Sequence, residues 1–359
     1  MNKVQLIDSN FNIDSLSNIT KSNYLAIDTE FMREKTFFAK LCLLQVGDSK
    51  SIVCIDALAN LNLDKFWKLA EKKTWIIHSA RQDLEVIFQT TNILPKNLFD
   101  TQIAAGILGL SPQIGYAKLV ENFFQISLKK DQTRANWGAR PLSIEMIEYA
   151  AEDVKYLPEL HKLLSDKLQQ LSRLDWVKED SNYMINQNLF QPSLESALKK
   201  IKSVHYLAGK YKKAAYLLVE WRENQAIKKN LPRKWIISDK DLLAIATSDI
   251  KNIDDLRKVK NLPKSLIERS SHEILLLLED ASADYSEYLA KPRFSEKEKK
   301  ILNALVKAVK KKSAELDITP EVIASKKELT SLISKNYNSR LMTGWRKEII
   351  GNELAKLID

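Results

Sequence analysis

The sequence predicts a mixed α/β sheet domain followed by two smaller all-helical units. Three observations carry this. Strand-like apolar runs crowd residues 24–58 and 74–80, and no convincing strand follows residue 190. From about residue 205 onward the apolar residues recur at helical spacing, interrupted by a polar break, "KPRFSEKEKK", at 291–300. Charge divides in the same way: residues 1–190 carry 22 Lys+Arg and 23 Asp+Glu, and residues 191–359 carry 34 and 23. A chain of 359 residues suits two or three domains of ~100–200 residues. The expected domains are 1–190, 205–288 and 295–359.

In chain order, "YLAID" (24–28), "KLCLLQVG" (40–47) and "SIVCIDAL" (51–58) read as strands, with "GDSK" (47–50) as a hairpin turn. "LNLDKFWKLAEKK" has Leu63, Phe66 and Leu69 on one helical side. "TWIIHSA" (74–80) is a fourth strand, and "RQDLEVIFQTT", "TQIAAGILGL" and "YAKLVENFF" are helices. After the turn-rich "KKDQTRANWGARPLS", one long helix is expected from Ser143 into the 170s. Beyond it, "KAAYLLVEWRENQAIKKN" stops before Pro232, and Ser238 caps a helix with Asp241 in place of the usual Glu. Two further helices flank the turn Asn261-Leu262-Pro263.

Several classes are excluded. Two cysteines, Cys42 and Cys54, lie in apolar runs, which suits buried thiols and rules out a disulfide scaffold. The beginning of the chain lacks a signal-peptide stretch, and the longest purely aliphatic run, "ILLLL" (274–278), falls far short of the ~20 residues that span a bilayer. A cytoplasmic protein with no membrane partner is therefore expected. The basic C-terminal half suggests a polyanion, nucleic acid first; a solvated lysine coat is the plainer alternative. A monomer is expected, since no exposed heptad or long edge is evident.

The acids pose the chemical question. Asp28 and Glu30 stand two apart on a strand and so share a face, directly after an apolar run. Asp83 follows the strand "TWIIHSA" at the start of a helix, where the helix dipole alone would welcome it. Asp153 lies four residues after Tyr149, hence beside it on a helix. Taken singly, Asp153 and Tyr149 also read as a surface acid and a core-edge tyrosine. Taken together, four carboxylates at one sheet edge repel one another unless divalent cations sit among them. Oxygen ligands without His or Cys suit Mg²⁺ or Mn²⁺. The four histidines, at 78, 161, 205 and 272, are too scattered for zinc. Two such ions ~3.5–4 Å apart form the clamp of phosphodiester hydrolysis. Tyr149 would hold the attacking water in line; an ordinary tyrosine pKa of ~10 makes it a poor base.

"DTEF", "HSARQDLEV" and "YAAEDVKYL" resemble the three motifs of the DEDD exonuclease superfamily, in the subclass with Tyr in place of His; position 148 is Glu. The longer stretches "DTEFMREKTFFAKLCLLQVG" and "WGARPLSIEMIEYAAEDVKYL" resemble the ribonuclease D family. "YLLVEWRENQAIKKNLPRKWIISDKDLLAIA" resembles the helical HRDC domain that this family shares with RecQ helicases. "NALVKAVKKKSAELDITPEVIASKKELTSLI" with "LMTGWRKEIIG" resembles a second such module. Asn261 departs from the family's usual Gly at its turn.

The resemblance implies a ribonuclease H-like α/β exonuclease domain with flanking helices, then two all-α HRDC bundles. It implies that Asp28, Glu30, Asp83 and Asp153 hold two divalent cations, Mg²⁺ or Mn²⁺, and that Tyr149 positions water. It further implies a 3′→5′ exoribonuclease that releases nucleoside 5′-monophosphates from RNA with a 3′ single-stranded tail, tRNA precursors among them. RNA over DNA rests on the resemblance, because spacing does not report recognition of a 2′-hydroxyl. A DNA exonuclease and a non-catalytic nucleic-acid-binding protein are the alternatives; the five intact positions count against the second. No GxxxxGK[ST] loop is present, so the chain is not itself a helicase.

Four residues are candidate nucleotide contacts, each with a plainer reading. Phe31 follows the D-x-E and packs on a base or in the core. Gln45 is a polar contact or a sheet filler. Trp137 and Arg140 stack on or pair with the terminal nucleotide, or fix their loop against Pro141.

Overall fold

The computed structural model describes residues 4–10, 16–19, 21–129, 131–132, 135–260, 262–290, 292 and 294–358; the turn residue Asn261 lies outside them. The chain forms two compact units. One comprises Met1–Met32, Lys40–Phe190 and Phe294–Asp359; the other comprises Arg33–Ala39 and Gln191–Arg293.

The first unit is built on a six-stranded sheet ordered β1-β4-β3-β2-β5-β6. After β1 (Val4–Ile7) and a short helix α1 (Leu16–Ile19) come β2 (Tyr24–Met32), β3 (Lys40–Gly47), β4 (Ile52–Asp56), α2 (Asp64–Ala70) and β5 (Thr74–Ile77). Then follow α3 (Arg81–Thr91), β6 (Asn97–Asp100), α4 (Thr101–Ile107), α5 (Tyr116–Phe124), α6 (Ile144–Lys155), α7 (Leu157–Gln170) and α8 (Leu174–Asn182). β3 runs antiparallel to β2 and β4, whereas β1–β4, β2–β5 and β5–β6 are parallel. The sheet is therefore mixed, as the sequence predicts. Residues 41–47 of β3 are all buried, the pattern of a strand covered on both faces.

Two features differ from the sequence expectation. The sequence pattern does not mark the four-residue strands β1 and β6, because four residues carry too little alternation to register as a period. The single long helix from Ser143 is two helices. Pro158, in the first turn of α7, has no N–H to return to the Val154 carbonyl, so the helix breaks at Tyr156.

The C-terminal segment belongs to this same unit. α15 (Glu296–Glu315) and α17 (Lys326–Ile333) each open with a capping box, Ser295/Glu298 and Ser325/Glu328, with α16 (Pro320–Ile323) between them. The chain ends in α18 (Gly344–Arg346), a π-helical turn (Lys347–Gly351) and α19 (Asn352–Lys356). Leu305, Val309, Ile323 and Leu332 continue the core begun by Leu164 and Leu168 of α7. Trp345 stacks on Trp176 with centroids 4.3 Å apart and planes at 5°. Gly344 has φ 49°, and a Cβ there would lie 1.7 Å from Glu179 Oε1, so any other residue would be strained and would displace that carboxylate.

The second unit is all helical: α9 (Leu194–Lys200), α10 (Gly209–Lys229), α11 (Arg233–Ile236), α12 (Asp239–Ala246), α13 (Ile253–Lys258) and α14 (Lys264–Ala283). α10 is the central helix, and its Leu218 and Val219 meet Leu242, Ile245 and Ile274 in the core. Its buried Arg222 pairs with Asp239, and its buried Glu223 with Arg233. Asn230, left-handed at φ 47°, ends α10, and its Oδ1 accepts from the N–H groups of Phe37 and Phe38. Ser238 caps α12, accepting from Asp241 N and donating to the Asp241 carboxylate. Among the described residues, no helix is long and apolar enough to cross a membrane.

Candidate active site

β2 carries its acids beyond the apolar run, pairing Asp28 with Gln45 and Glu30 with Leu43 of β3 before a bulge at Glu30/Phe31. α6, capped by Ser143, lies across β2, β3 and β4 and delivers Asp153 to the same place. One carboxylate oxygen from each of Asp28, Glu30 and Asp153 lies within 4.8 Å of the others. Asp83 arrives separately, in the first turn of α3. The chain reaches it through Ser79, left-handed at φ 61°. The Asp100 carboxylate fixes that turn by accepting from Ser79 N at 3.1 Å and Ala80 N at 2.8 Å. Thr29, on the strand face opposite its two acidic neighbours, donates its hydroxyl to Asp83 Oδ1 at 2.5 Å. Tyr149 is half-buried one turn before Asp153, its ring 6.2 Å from that of Trp137.

Burial pushes all four carboxyls up, and neighbouring acids add to it: the other site acids for Asp28 and Glu30, Glu152 and then Asp83 for Asp153, and Asp100 for Asp83. Burial comes first for Asp28, then the charges of Asp83, Asp153 and Glu30, and its pKa rises well above the usual carboxylate range. Glu30 is pushed up to about 8, by burial and then by Asp153 and Asp83. Asp83 and Asp153 are each raised to about 7, again chiefly by burial. The donor set is carboxylate oxygen alone, which fits hard divalent cations.

These shifts carry a sign. A raised carboxyl pKa means that the folded, metal-free protein holds protons the unfolded chain releases, so it loses stability as pH rises from the ordinary carboxylate range towards about 8. Cation binding must displace those protons, so affinity rises with pH, by about tenfold per unit for each proton displaced. The rise in melting temperature on adding Mn²⁺ is expected to grow between about pH 6 and pH 8, as chelator-treated protein weakens. A metal-linked rise that stayed constant across that range would contradict the site.

The predicted nucleotide contacts fall into two groups. Phe31 is half-buried at the bulge, directly after Glu30. The other three are engaged in the fold. Arg140 uses all five of its N–H donors: Nε and Nη2 on the Asp56 carboxylate at 2.6 Å, Nη2 also on Cys42 O, and Nη1 on Trp137 O and Ala139 O. In turn the guanidinium holds Asp56 below its usual range against a burial penalty. Arg140 is thus a brace tying its loop to the end of β4, with no N–H left for a phosphate. Trp137 is buried beside Tyr149, and Gln45 is fully buried in the middle of β3. Neither side chain reaches solvent to meet a base.

Two neighbours went unseen in the sequence. Thr29, between Asp28 and Glu30 in the chain, serves the distant Asp83. Tyr116 donates its hydroxyl to Glu152 O and accepts from Tyr156 N, stapling the break between α6 and α7. Its hydroxyl pKa is raised well above the ordinary value by burial, with Asp153 and Asp28 among the lesser causes. His78, in contact with the Tyr116 ring, bonds Thr101 Oγ1 and Ile114 O. Nothing in the spacing of "GYAKLV" marks Tyr116 as a neighbour of the acids.

A mixed sheet with carboxylates converging on its central strand β2, followed by helical segments, is the arrangement of a metal-dependent nuclease, and the family models make it a 3′→5′ exonuclease with appended HRDC domains. Residues 4–169 match that of the 3'-5' exonuclease, 212–278 the HRDC domain, and 297–354 the ribonuclease D C-terminal HRDC domain. The ribonuclease D of Shewanella sp. (strain ANA-3) is 31% identical over 94% of this chain and 89% of the relative. That of Bartonella henselae is 31% identical over 96% and 87%. The crystal structure of Escherichia coli RNase D, described as an exoribonuclease involved in structured RNA processing, superposes with a TM-score of 0.90 at 26% identity, covering 99% of this chain and 98% of that one. A Bifidobacterium adolescentis protein, 19% identical with a TM-score of 0.68, shares the fold over the full length of both chains. The chain belongs to the ribonuclease D family of hydrolytic 3′→5′ exoribonucleases, whose exonuclease domain depends on divalent metal.

Proposed function

We propose that the chain trims single-stranded 3′ tails of structured RNAs, tRNA precursors among them, and releases nucleoside 5′-monophosphates. The observation that carries this is the convergence of Asp28, Glu30 and Asp153 within 4.8 Å, with Asp83 close enough to raise all three. These four acids are the proposed ligands of two ions, Mg²⁺ or Mn²⁺. When bound, such ions supply Lewis-acid stabilisation of charge on the scissile phosphate and make water more acidic. Tyr149, on the same helix as Asp153, orients the attacking water through its hydroxyl, and Trp137 steadies its ring. Phe31 packs against the terminal nucleotide. Two reduced thiols suit a cytoplasmic protein, acting as a monomer.

The test incubates the protein with matched RNA and DNA strands bearing a single-stranded 3′ tail, in Mg²⁺, Mn²⁺ or chelator. The expected result is stepwise loss of mononucleotides from the RNA 3′ end, with none in chelator. Preferential degradation of DNA would transfer the function to DNA ends, and no degradation of either would leave a binding protein.

A further inference from the structure

Gln45 is wholly buried in β3, a central strand of the sheet, yet neither its Oε1 nor its Nε2 has a hydrogen-bond partner among the described residues. Buried amides left unpaired at both ends are rare, because desolvation is then uncompensated. Its strand neighbours Leu43, Leu44 and Val46 are apolar, so burial alone gives no reason for an amide here. The ladders do. Gln45 stands directly opposite Asp28 on β2 and opposite Cys54 on β4, so all three side chains share one face of the sheet. α6 covers that face: Cys54 Sγ approaches Ile147 O, and Val154 lies over Gly47. Directly opposed residues have Cβ atoms about 5 Å apart, within reach of a glutamine amide. A carboxylate that ligates a cation through one oxygen needs its other oxygen held by a donor if its orientation is to be fixed.

We propose that Gln45 is a positioning residue for Asp28: with divalent cations bound, its Nε2 donates to one Asp28 carboxylate oxygen and leaves the other to the cation. This rests on Asp28 being a metal ligand. The rival is a buried water that satisfies the amide without any link to metal.

Full-length Gln45→Leu and Gln45→Met separate the two. Both are read by thermal melting in chelator and in graded Mn²⁺, and by Mn²⁺ titration of hydrolysis of a 3′-tailed RNA. In chelator the variants should melt at or above the wild-type temperature, because two unpaired polar atoms leave the core. In Mn²⁺ their gain in melting temperature should shrink. The Mn²⁺ concentration for half-maximal activity should rise by roughly 10–100-fold, with KM for RNA unchanged at saturating Mn²⁺. If leucine's branching misfits the site, the longer and more flexible methionine decides. Wild-type metal-linked stabilisation and activation in the variants would overturn the proposal, as would melting far below wild type in chelator for both. Asp28→Ala, run alongside, should lose the metal-linked stabilisation. If it keeps it, the metal-site reading itself fails, which is a different outcome from a silent Gln45.

Discussion

Asp28→Ala should abolish hydrolysis of a 3′-tailed RNA in Mg²⁺ or Mn²⁺, with kcat/KM falling at least ~10³-fold, about 4 kcal/mol of transition-state stabilisation. The protein should still fold and still bind RNA. The loss is large because Asp28 is the carboxylate that all three other acids act upon: Asp83, Asp153 and Glu30 each raise it. Without it β2 offers Glu30 alone, and one of the three carboxylates that lie within 4.8 Å of one another is gone. Folding should survive for the opposite reason. A half-buried acid whose pKa is raised opposes folding at neutral pH in the absence of metal, so its removal strengthens the metal-free protein. Asp153→Ala should behave alike. Hydrolysis rates, a mobility-shift measurement of RNA binding and melting in chelator check the three parts. Purified Asp28→Ala that still degraded the RNA with added Mg²⁺ would falsify the site assignment.

Short-range periodicity makes two pairs of the site legible in the sequence, and the set of four acids comes from the three motifs that resemble the exonuclease family. A spacing of two on β2 puts Asp28 and Glu30 on one face, and a spacing of four on α6 sets Tyr149 beside Asp153. What supports them is set by pairs far apart in the chain, which no local period encodes. Arg140 meets Asp56 across 84 positions, Thr29 meets Asp83 across 54, and Tyr116 staples residues 36 and 40 positions on. Arg140 therefore looked as suited to phosphate as to a carboxylate, and only the packing decides. The break at Tyr156 leaves no mark on the apolar pattern, because Pro158 is tolerated in a first helical turn and the pattern runs on through it. The C-terminal helices showed their periodicity but not their attachment: Trp345 and its partner Trp176 lie 169 positions apart.

That attachment is where the largest effect on stability is expected, in Asp180→Ala. Arg346 is almost fully buried, and its guanidinium binds both Asp180 oxygens, Nη1 on Oδ1 at 2.5 Å and Nη2 on Oδ2 at 2.6 Å. Its other hydrogen bonds go to carbonyls of its own module, Ile323 O from Nε and Val322 O from Nη2, and it lies over the Trp345 ring, 4.1 Å from the centroid. Those dipoles do not neutralise a charge. Asp180, on α8, is the counter-ion, and it also accepts from Trp345 Nε1 at 3.2 Å. Its removal strands a buried guanidinium, which costs about 3–5 kcal/mol. The pair itself contributes less than that, because burying both charges is already unfavourable. The double variant Asp180→Leu/Arg346→Met should therefore recover most of the loss. Urea unfolding followed by tryptophan fluorescence suits the measurement, since the Trp176–Trp345 stack sits at the same joint. A double variant as unstable as Asp180→Ala would show that the hydrogen-bond geometry at the joint, and not an uncompensated charge, holds the C-terminal helices to α8.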